Sequence, residues 1–261
     1  MPLALASSVI GQGPPALVLH GLFGSGTNWR TIARRLESRL ECHLVDQRNH
    51  GRSPHARGMT YPALADDVLA YLDAHGIDRA GLIGHSMGGK TAMTLALTAP
   101  ERVRCLIVAD IAPAPSPSDH RPILQTLRAL GLDSLDSRAG ADAALARSVP
   151  DPGLRQFLLQ NLVHGDGGLR WRIDLEALAE ALPDLTGFPP IAPGALYQGP
   201  TLFLRGERSG YLSAWHEPRI RALFPRASID TIANAGHWLH AEQPAAVTDR
   251  IARFVDEAAV D

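Results

Sequence analysis

Short apolar runs alternate along this chain with longer stretches in which apolar residues recur every three or four positions. That is the pattern of a mostly parallel sheet covered by helices. Ala4–Ile10 reads as a first strand and Ala16–Leu19 as a second, buried one. Thr27 is placed to cap a helix over Asn28–Leu40, with Trp29, Ile32, Ala33, Leu36 and Leu40 on one face. His43–Val45 is a strand ending at Asp46, and Thr60 caps a helix whose Leu64, Val68, Tyr71 and Leu72 lie at helical spacing. Gly81–Gly84 is a short strand, Met87–Ala99 a helix stopped by Pro100, and Val103–Ala109 another strand.

The rhythm then breaks. From Pro113 to about Pro200 no strand is evident, and prolines at 113, 115 and 117 and at 189, 190 and 193 bracket four helical patterns. These lie around Ile123–Leu130, Ala141–Arg147, Leu154–Val163 and Leu175–Leu182. The alternation resumes with a strand at Thr201–Leu204, a helix at Ser213–Phe224, a strand at Ser228–Ile232 and a helix at Pro244–Ala258. The expected division is a core built from residues 1–112 and 200–261, with a helical cap inserted as residues 113–199.

Composition narrows the classes. The chain has 261 residues, 45% of them hydrophobic, enough for a sizeable core. The 25 basic and 27 acidic residues nearly cancel, which argues against nucleic acid as a partner. No apolar run is long enough to span a membrane, and the N-terminal stretch lacks the basic region of a secretory leader. Cys42 and Cys105 read as buried free thiols, so a reduced, cytoplasmic setting is expected. The histidines show no metal-ligand spacing; His237 and His240 form only a weak pair. No cofactor or metal is expected, and nothing in the pattern speaks to oligomeric state.

Chemistry enters at Gly84-His85-Ser86-Met87-Gly88-Gly89. This G-x-S-x-G stands after an apolar strand and before a helix, where a nucleophile elbow must stand. Side chains at positions 84 and 88 would collide with the adjacent strand and helix, and glycine removes them. The sharp turn aims the Ser86 hydroxyl into a cleft above the sheet. Two backbone N–H donors are then needed for an oxyanion. Met87 follows the nucleophile, and the loop His20-Gly21-Leu22-Phe23-Gly24 follows an early strand, which makes Leu22 the second candidate and Phe23 the alternative. His237 follows the last strand and fills the general-base position in the order Ser, Asp/Glu, His. His85 is expected to turn away from the cleft and His20 to brace the oxyanion loop. His50, His55, His75 and His216 are expected on loops or exposed helix faces.

The acid is less direct. The usual position follows the strand Thr201–Leu204, but Gly206-Glu207-Arg208-Ser209 has serine where G-x-x-D would have aspartate. A serine cannot balance an imidazolium. Asp110 ends the strand Val103–Ala109 at the carboxyl edge of the sheet, and a carboxylate there is costly without a partner. Asp110 is therefore the expected acid and Glu207 the alternative. Ser209 is then free to hydrogen-bond His237 or Asp110.

The motifs Asp46-Gln47-Arg48-Asn49-His50-Gly51-Arg52-Ser53, Gly84–Lys90 and Asp110-Ile111-Ala112-Pro113 fall in order, and the chain resembles the α/β-hydrolase superfamily over nearly its whole length. More narrowly it resembles the small bacterial acyl esterases and the related abhydrolase-11 proteins. The resemblance implies an α/β-hydrolase fold, a cofactor-free Ser–Asp–His esterase whose acid follows the strand after the nucleophile helix, and a serine at position 209. Gln47 departs from the leucine frequent in that family and is expected to matter little. Arg48 and Asn49 are expected to pin loops through backbone carbonyls, and Lys90 is not expected to be catalytic.

The expected function is hydrolysis of short- to medium-chain acyl esters through Ser86, Asp110 and His237. Phe23, Ser209, Trp171 and Trp238 are the expected pocket residues, with Phe157, Leu158, Leu162 and Leu175 of the cap as further wall candidates. Thioester, lactone or C–C bond hydrolysis, cofactor-free peroxidation and a non-catalytic ligand-binding hydrolase are the alternatives. Ser86 at the elbow disfavours haloalkane and epoxide opening, which use an aspartate nucleophile.

Overall fold

A computed structural model describes residues 1–258, so the last three residues of the expected 200–261 segment lie outside it. The first part of the chain gives β1 (Ser7–Ile10), β2 (Pro15–Leu19), α1 (Arg30–Leu36), β3 (Glu41–Val45), α2 (Tyr61–Ala74), β4 (Ala80–His85), α3 (Met87–Thr98) and β5 (Val103–Ala109). Segment 113–199 carries α4 (Arg121–Ala129), α5 (Arg138–Leu145), α6 (Pro152–Leu159), β6 (Leu162–Gly165), β7 (Gly168–Trp171) and α7 (Leu175–Thr186). The chain then returns to the sheet through β8 (Thr201–Gly206), α8 (Glu217–Leu223), β9 (Ala227–Ile232), α9 (Leu239–Glu242) and α10 (Pro244–Ala258). This is an α/β-hydrolase fold.

The central sheet has seven strands in the order β1-β3-β2-β4-β5-β8-β9. Only β1 runs antiparallel, against β3; every other pairing is parallel. The strands read as unbroken apolar runs because both faces are covered. Leu17, Leu19, Leu82, Leu106, Val108 and Phe203 pack on one side with Val68 and Leu72 of α2, Met93 of α3 and Ile220 of α8. Their neighbours Ala16, Val18, Ile83, Ile107, Leu202 and Leu204 pack on the other with Ile32 and Leu36 of α1 and Val247 and Ile251 of α10. The period of two thus splits one apolar run between two cores.

Local chemistry moved several boundaries. The helix expected over Asn28–Leu40 begins as a 3₁₀ turn at Gly26–Trp29, and its α-helical part ends at Leu36. The turn forms because the Ser25 N–H donates to Asn28 Oδ1 at 2.7 Å, so Ser25 and not Thr27 opens the element. Thr60 does cap α2, accepting from the Ala63 N–H.

The larger correction is in the inserted segment, where no strand was expected. β6 and β7 form an antiparallel hairpin with Gly165 opposite Gly168, and a helix expected to run through Val163 stops at Leu159. The two-residue loop of the hairpin is Asp166-Gly167, and Gly168 just after it takes φ 113°, a conformation open to glycine and to few other residues. That glycine signal was in the sequence, but four-residue strands carry too little periodicity to reveal the hairpin. The apolar side chains of this segment make a third cluster, which also takes in Phe23, Met59, Tyr61, Leu64 and Met87 from beneath. Among the described residues no helix is long and apolar enough to cross a membrane.

Candidate active site

The turn between β4 and α3 places Ser86 at φ 52°, ψ −115°, a conformation that costs an L-residue energy and persists only when the surroundings enforce it. The enforcement is close packing. A Cβ on Gly84 would lie 2.3 Å from the Gly88 carbonyl oxygen, and one on Gly88 would lie 2.2 Å from the Leu19 carbonyl oxygen. The glycines at 84 and 88 let the elbow sit directly on β2. The Ser86 N–H donates to the Ala109 carbonyl at 3.1 Å, tying the elbow to β5 as well.

Ser86 Oγ lies 3.1 Å from His237 Nε2, and His237 Nδ1 lies 2.8 Å from Asp110 Oδ2. Asp110 stands just past β5 at φ 50° with its side chain fully enclosed. Each of its oxygens is occupied: Oδ1 accepts the Gly206 N–H at 2.9 Å, and Oδ2 accepts both His237 and the Ser209 hydroxyl. Ser209 therefore reaches Asp110, one of the two partners expected of it, and lies behind the carboxylate and not in a cavity wall. Glu207, the alternative acid, is exposed and accepts the Asn234 N–H at 2.8 Å, away from the imidazole.

The loop after β2 lies against the elbow: a Cβ on Gly21 would come within 3.3 Å of Ser86 Cβ. Neither the Leu22 nor the Met87 N–H has a hydrogen-bond partner among the described residues. The Phe23 N–H, the alternative donor, is taken by His50 Nε2 at 3.3 Å. His20 braces this loop. Its Nδ1–H donates to the Gly21 carbonyl at 2.8 Å, and its Nε2 accepts the Gln47 N–H at 3.0 Å. Its carbonyl receives the Gly88 N–H and the Gln47 side-chain amide. Gln47 also accepts the Thr91 hydroxyl, so it joins β2, the elbow helix and the β3 loop. It has more to do than its departure from leucine suggested.

His50 corrects another expectation. It is fully buried beneath the loop after β2, where its Nδ1–H donates to the Arg48 carbonyl. His85, expected to turn away, packs beside His237 at 4.8 Å between ring centroids, and its Nε2–H donates to the His237 carbonyl at 2.8 Å. Burial, reinforced for His50 and His85 by neighbouring imidazoles, lowers the ring pKa at each of these positions. His20 falls to about 4, His50 to about 3, and His85 lies well below the ordinary value. Burial and then His237 bring His240 to about 3. A shell of neutral imidazoles thus surrounds Ser86 and His237.

Arg48 and Asn49 do pin loops through carbonyls, at Gly58, Ala63 and Ala56. Arg48 also forms a buried bidentate pair with Asp67 of α2 at 2.6 and 2.7 Å, which the loop sequence did not reveal. Lys90 points away from the elbow. Its Nζ donates to Ser116 Oγ and to the carbonyls of Thr186 and Gly187, at the two ends of the inserted segment.

A cavity of about 330 Å³ opens above Ser86 and His237. Leu22, Phe23, Ile123, Leu154, Phe157 and Trp238 give it apolar walls. Phe23 and Trp238 therefore border it as expected. Trp171 does not: its indole N–H donates to the Leu127 carbonyl within the inserted segment. Leu158, Leu162 and Leu175 are buried in the cluster of that segment, where its helices need them for packing. Tyr211, His120 and Ile123 border the cavity without having been singled out, because their approach depends on loop paths that no local pattern encodes. Among the described residues no group of three or more His, Cys, Asp or Glu is arranged to hold a metal ion.

The family described as alpha/beta hydrolase fold matches residues 14–149. An sn-1-specific diacylglycerol lipase ABHD11 of Xenopus laevis is 42% identical over 254 residues, covering 94% of this chain and 81% of its own. Esterase YbfF of Escherichia coli is 38% identical over 244 residues, covering 93% of each chain. A solved marine microorganism esterase superposes with a TM-score of 0.93 at 37% identity, covering 97% of this chain and 99% of its own.

Proposed function

As a member of the α/β-hydrolase family, in its branch of abhydrolase-11-like esterases, the chain is a carboxylic ester hydrolase, and we propose that it cleaves short- to medium-chain acyl esters through Ser86, His237 and Asp110. The observation that carries this reading is the unbroken relay from Ser86 Oγ to His237 Nε2 and from His237 Nδ1 to Asp110, beneath an apolar cavity.

In this reading His237 takes the Ser86 proton as the hydroxyl oxygen attacks the ester carbonyl. The Leu22 and Met87 N–H groups, left without protein partners, receive the developing oxyanion; each such donor is worth roughly 2.7–4 kcal/mol of barrier. Asp110, held by three donors, fixes the imidazole and stabilises its charge without taking the proton. His237 then protonates the leaving alcohol, and water removes the acyl group by the reverse path. Residues 113–199 act as a cap over the core of 1–112 and 200–261. The cavity, near the lower end of the roughly 300–1,000 Å³ usual for small-ligand sites, suits a short to medium acyl chain.

The test is steady-state hydrolysis of p-nitrophenyl esters from acetyl to palmitoyl, with a diacylglycerol included because the amphibian relative is named for one. Ser86→Ala is expected to lose about 10⁴-fold or more in kcat. The optimum is expected at short to medium chains. An optimum at palmitoyl would reject the chain-length reading, and full activity of the alanine variant would reject the nucleophile.

A further inference from the structure

Two hydrogen bonds hold the His237 ring, one at Nδ1 and one at Nε2. They leave through roughly opposite edges, so together they act as an axle. Distances along the axle are fixed, but the ring can still roll about it, and rolling swings the Nε2 lone pair off the Ser86 hydroxyl. Something must press on the face of the ring. His85 does not, since its ring meets His237 tilted by 42° at 4.8 Å. Trp238 is further away, at 6.1 Å and 58°. Among the described residues Tyr211 alone is flat against it, with centroids 3.6 Å apart and planes within 15°.

The geometry points to Tyr211 as a positioning residue for His237: its ring stops the imidazole from rolling, and its own placement is set by the acid loop and the neck of the inserted segment. Its N–H donates to Ser209 Oγ at 3.2 Å, and Ser209 in turn donates to Asp110. Its hydroxyl donates to Ser118 Oγ, in the stretch between β5 and α4. One residue therefore touches the base directly with its ring, the acid through its N–H and Ser209, and the neck through its hydroxyl and Ser118. The electron-rich face of the phenol also favours the imidazolium that forms as Ser86 loses its proton, because a cation over an aromatic face is attracted to it. The other groups near His237 act differently: the Asp110 carboxylate stabilises the cation from the ring edge and not from its face. Burial holds His85, His120 and His240 below the usual imidazole pKa. The inference rests on reading His237 as the general base.

The experiment compares the parent with His237→Asn, Tyr211→Leu, Tyr211→Phe and Ser118→Ala on a short acyl p-nitrophenyl ester, with thermal midpoints recorded for each. Activity retained by His237→Asn would remove the base reading itself. With that variant inactive, Tyr211→Leu is expected to lose about 10- to 100-fold in kcat with KM within about threefold, since general-base catalysis contributes roughly 10²–10⁴-fold in all. Tyr211→Phe keeps the flat face and is expected to recover kcat to within about threefold of the parent, with Ser118→Ala matching it. A Tyr211→Leu protein of parental midpoint whose kcat lies within about twofold of the parent would overturn the inference, as would a phenylalanine variant no faster than the leucine one. Should the leucine variant fail to fold, the His237 ring-proton resonances decide. They are expected upfield in the parent and in Tyr211→Phe and displaced in Tyr211→Met, and an unchanged position in Tyr211→Met overturns the assignment.

Discussion

Asp110 has a left-handed backbone, a fully enclosed carboxyl group and three donors on two oxygens. Aspartate tolerates that backbone better than most residues because its short polar side chain bonds locally. Asparagine would keep the shape and lose the charge: its amide hydrogens would meet the Gly206, Ser209 or His237 donors, and the imidazole would be held in the other tautomer. Asp110→Asn is expected to lower kcat roughly 10³- to 10⁴-fold in steady-state kinetics. Glu207→Gln, which alters only an exposed acceptor, is expected to stay within about twofold, and a large loss there would move the acid to Glu207. The contact of Asp110 with His237 was legible because two facts met, a serine where aspartate is usual and a carboxylate stranded at the end of an apolar strand. His50 was not legible. Its loop position suggests exposure, and only the return of that loop beneath Phe23 buries it. Tyr211 was invisible for a related reason, since stacking is decided by loop path and not by spacing.

At the scale of elements, α3 links the elbow to the inserted segment. Its N-terminus follows the Ser86 turn, and one turn in, Lys90 holds Ser116, Thr186 and Gly187 at 2.8, 3.0 and 2.5 Å. Tyr61 of α2 adds its hydroxyl to the Leu185 carbonyl and its ring beneath the ammonium. The two ends of the insertion are thus fastened at one point, and the Ser116 N–H joins them directly to Thr186. Burial pushes the Lys90 amine down to about 7. In the unfolded chain the amine titrates near about 10.4. Between those values the unfolded state binds a proton that the folded state does not, so the stability contributed at position 90 rises with pH across that window. Lys90→Met leaves three acceptors without their donor and is expected to lower the thermal midpoint by about 3–6 °C at pH 7. The shortfall against the parent is expected to widen towards pH 9, and a constant or shrinking difference in thermal melts would contradict this. The strands of the central sheet and the helices that cover it were legible from periodicity, since each must satisfy a buried face. The β6–β7 hairpin was not, because it rests on turn chemistry and on packing within the insertion.

For the whole molecule, the shell of neutral histidines sets a limit on the acid side. His20, His50, His85 and His240 stay unprotonated when folded, with ring pKa values of about 4 and 3 for the first two, well below the ordinary value for His85, and about 3 for His240. Unfolded, each titrates near about 6.5. Their contribution is fully present above that pH and is lost as pH falls towards the folded values, because the unfolded chain takes up protons first. The urea midpoint is therefore expected to fall clearly between pH 7.5 and pH 5, before most carboxylates titrate. Equal midpoints at the two pH values would show that these rings are protonated in the folded state.

The same topology orders events in time. Ser86 and Asp110 lie before the insertion, whereas Gly206, Ser209 and His237 come after it, and β5 finds its neighbour β8 only across that long excursion. Closing so long a loop is an entropic toll that local contacts in the first half do not share. During folding the Ser86 turn can form early, but it lacks its imidazole neighbour until the returning strand docks and brings His237. With Ser86 and His237 in the roles proposed above, an incompletely folded chain carries its serine without the means to ionise it, and hydrolysis begins only when the fold is finished.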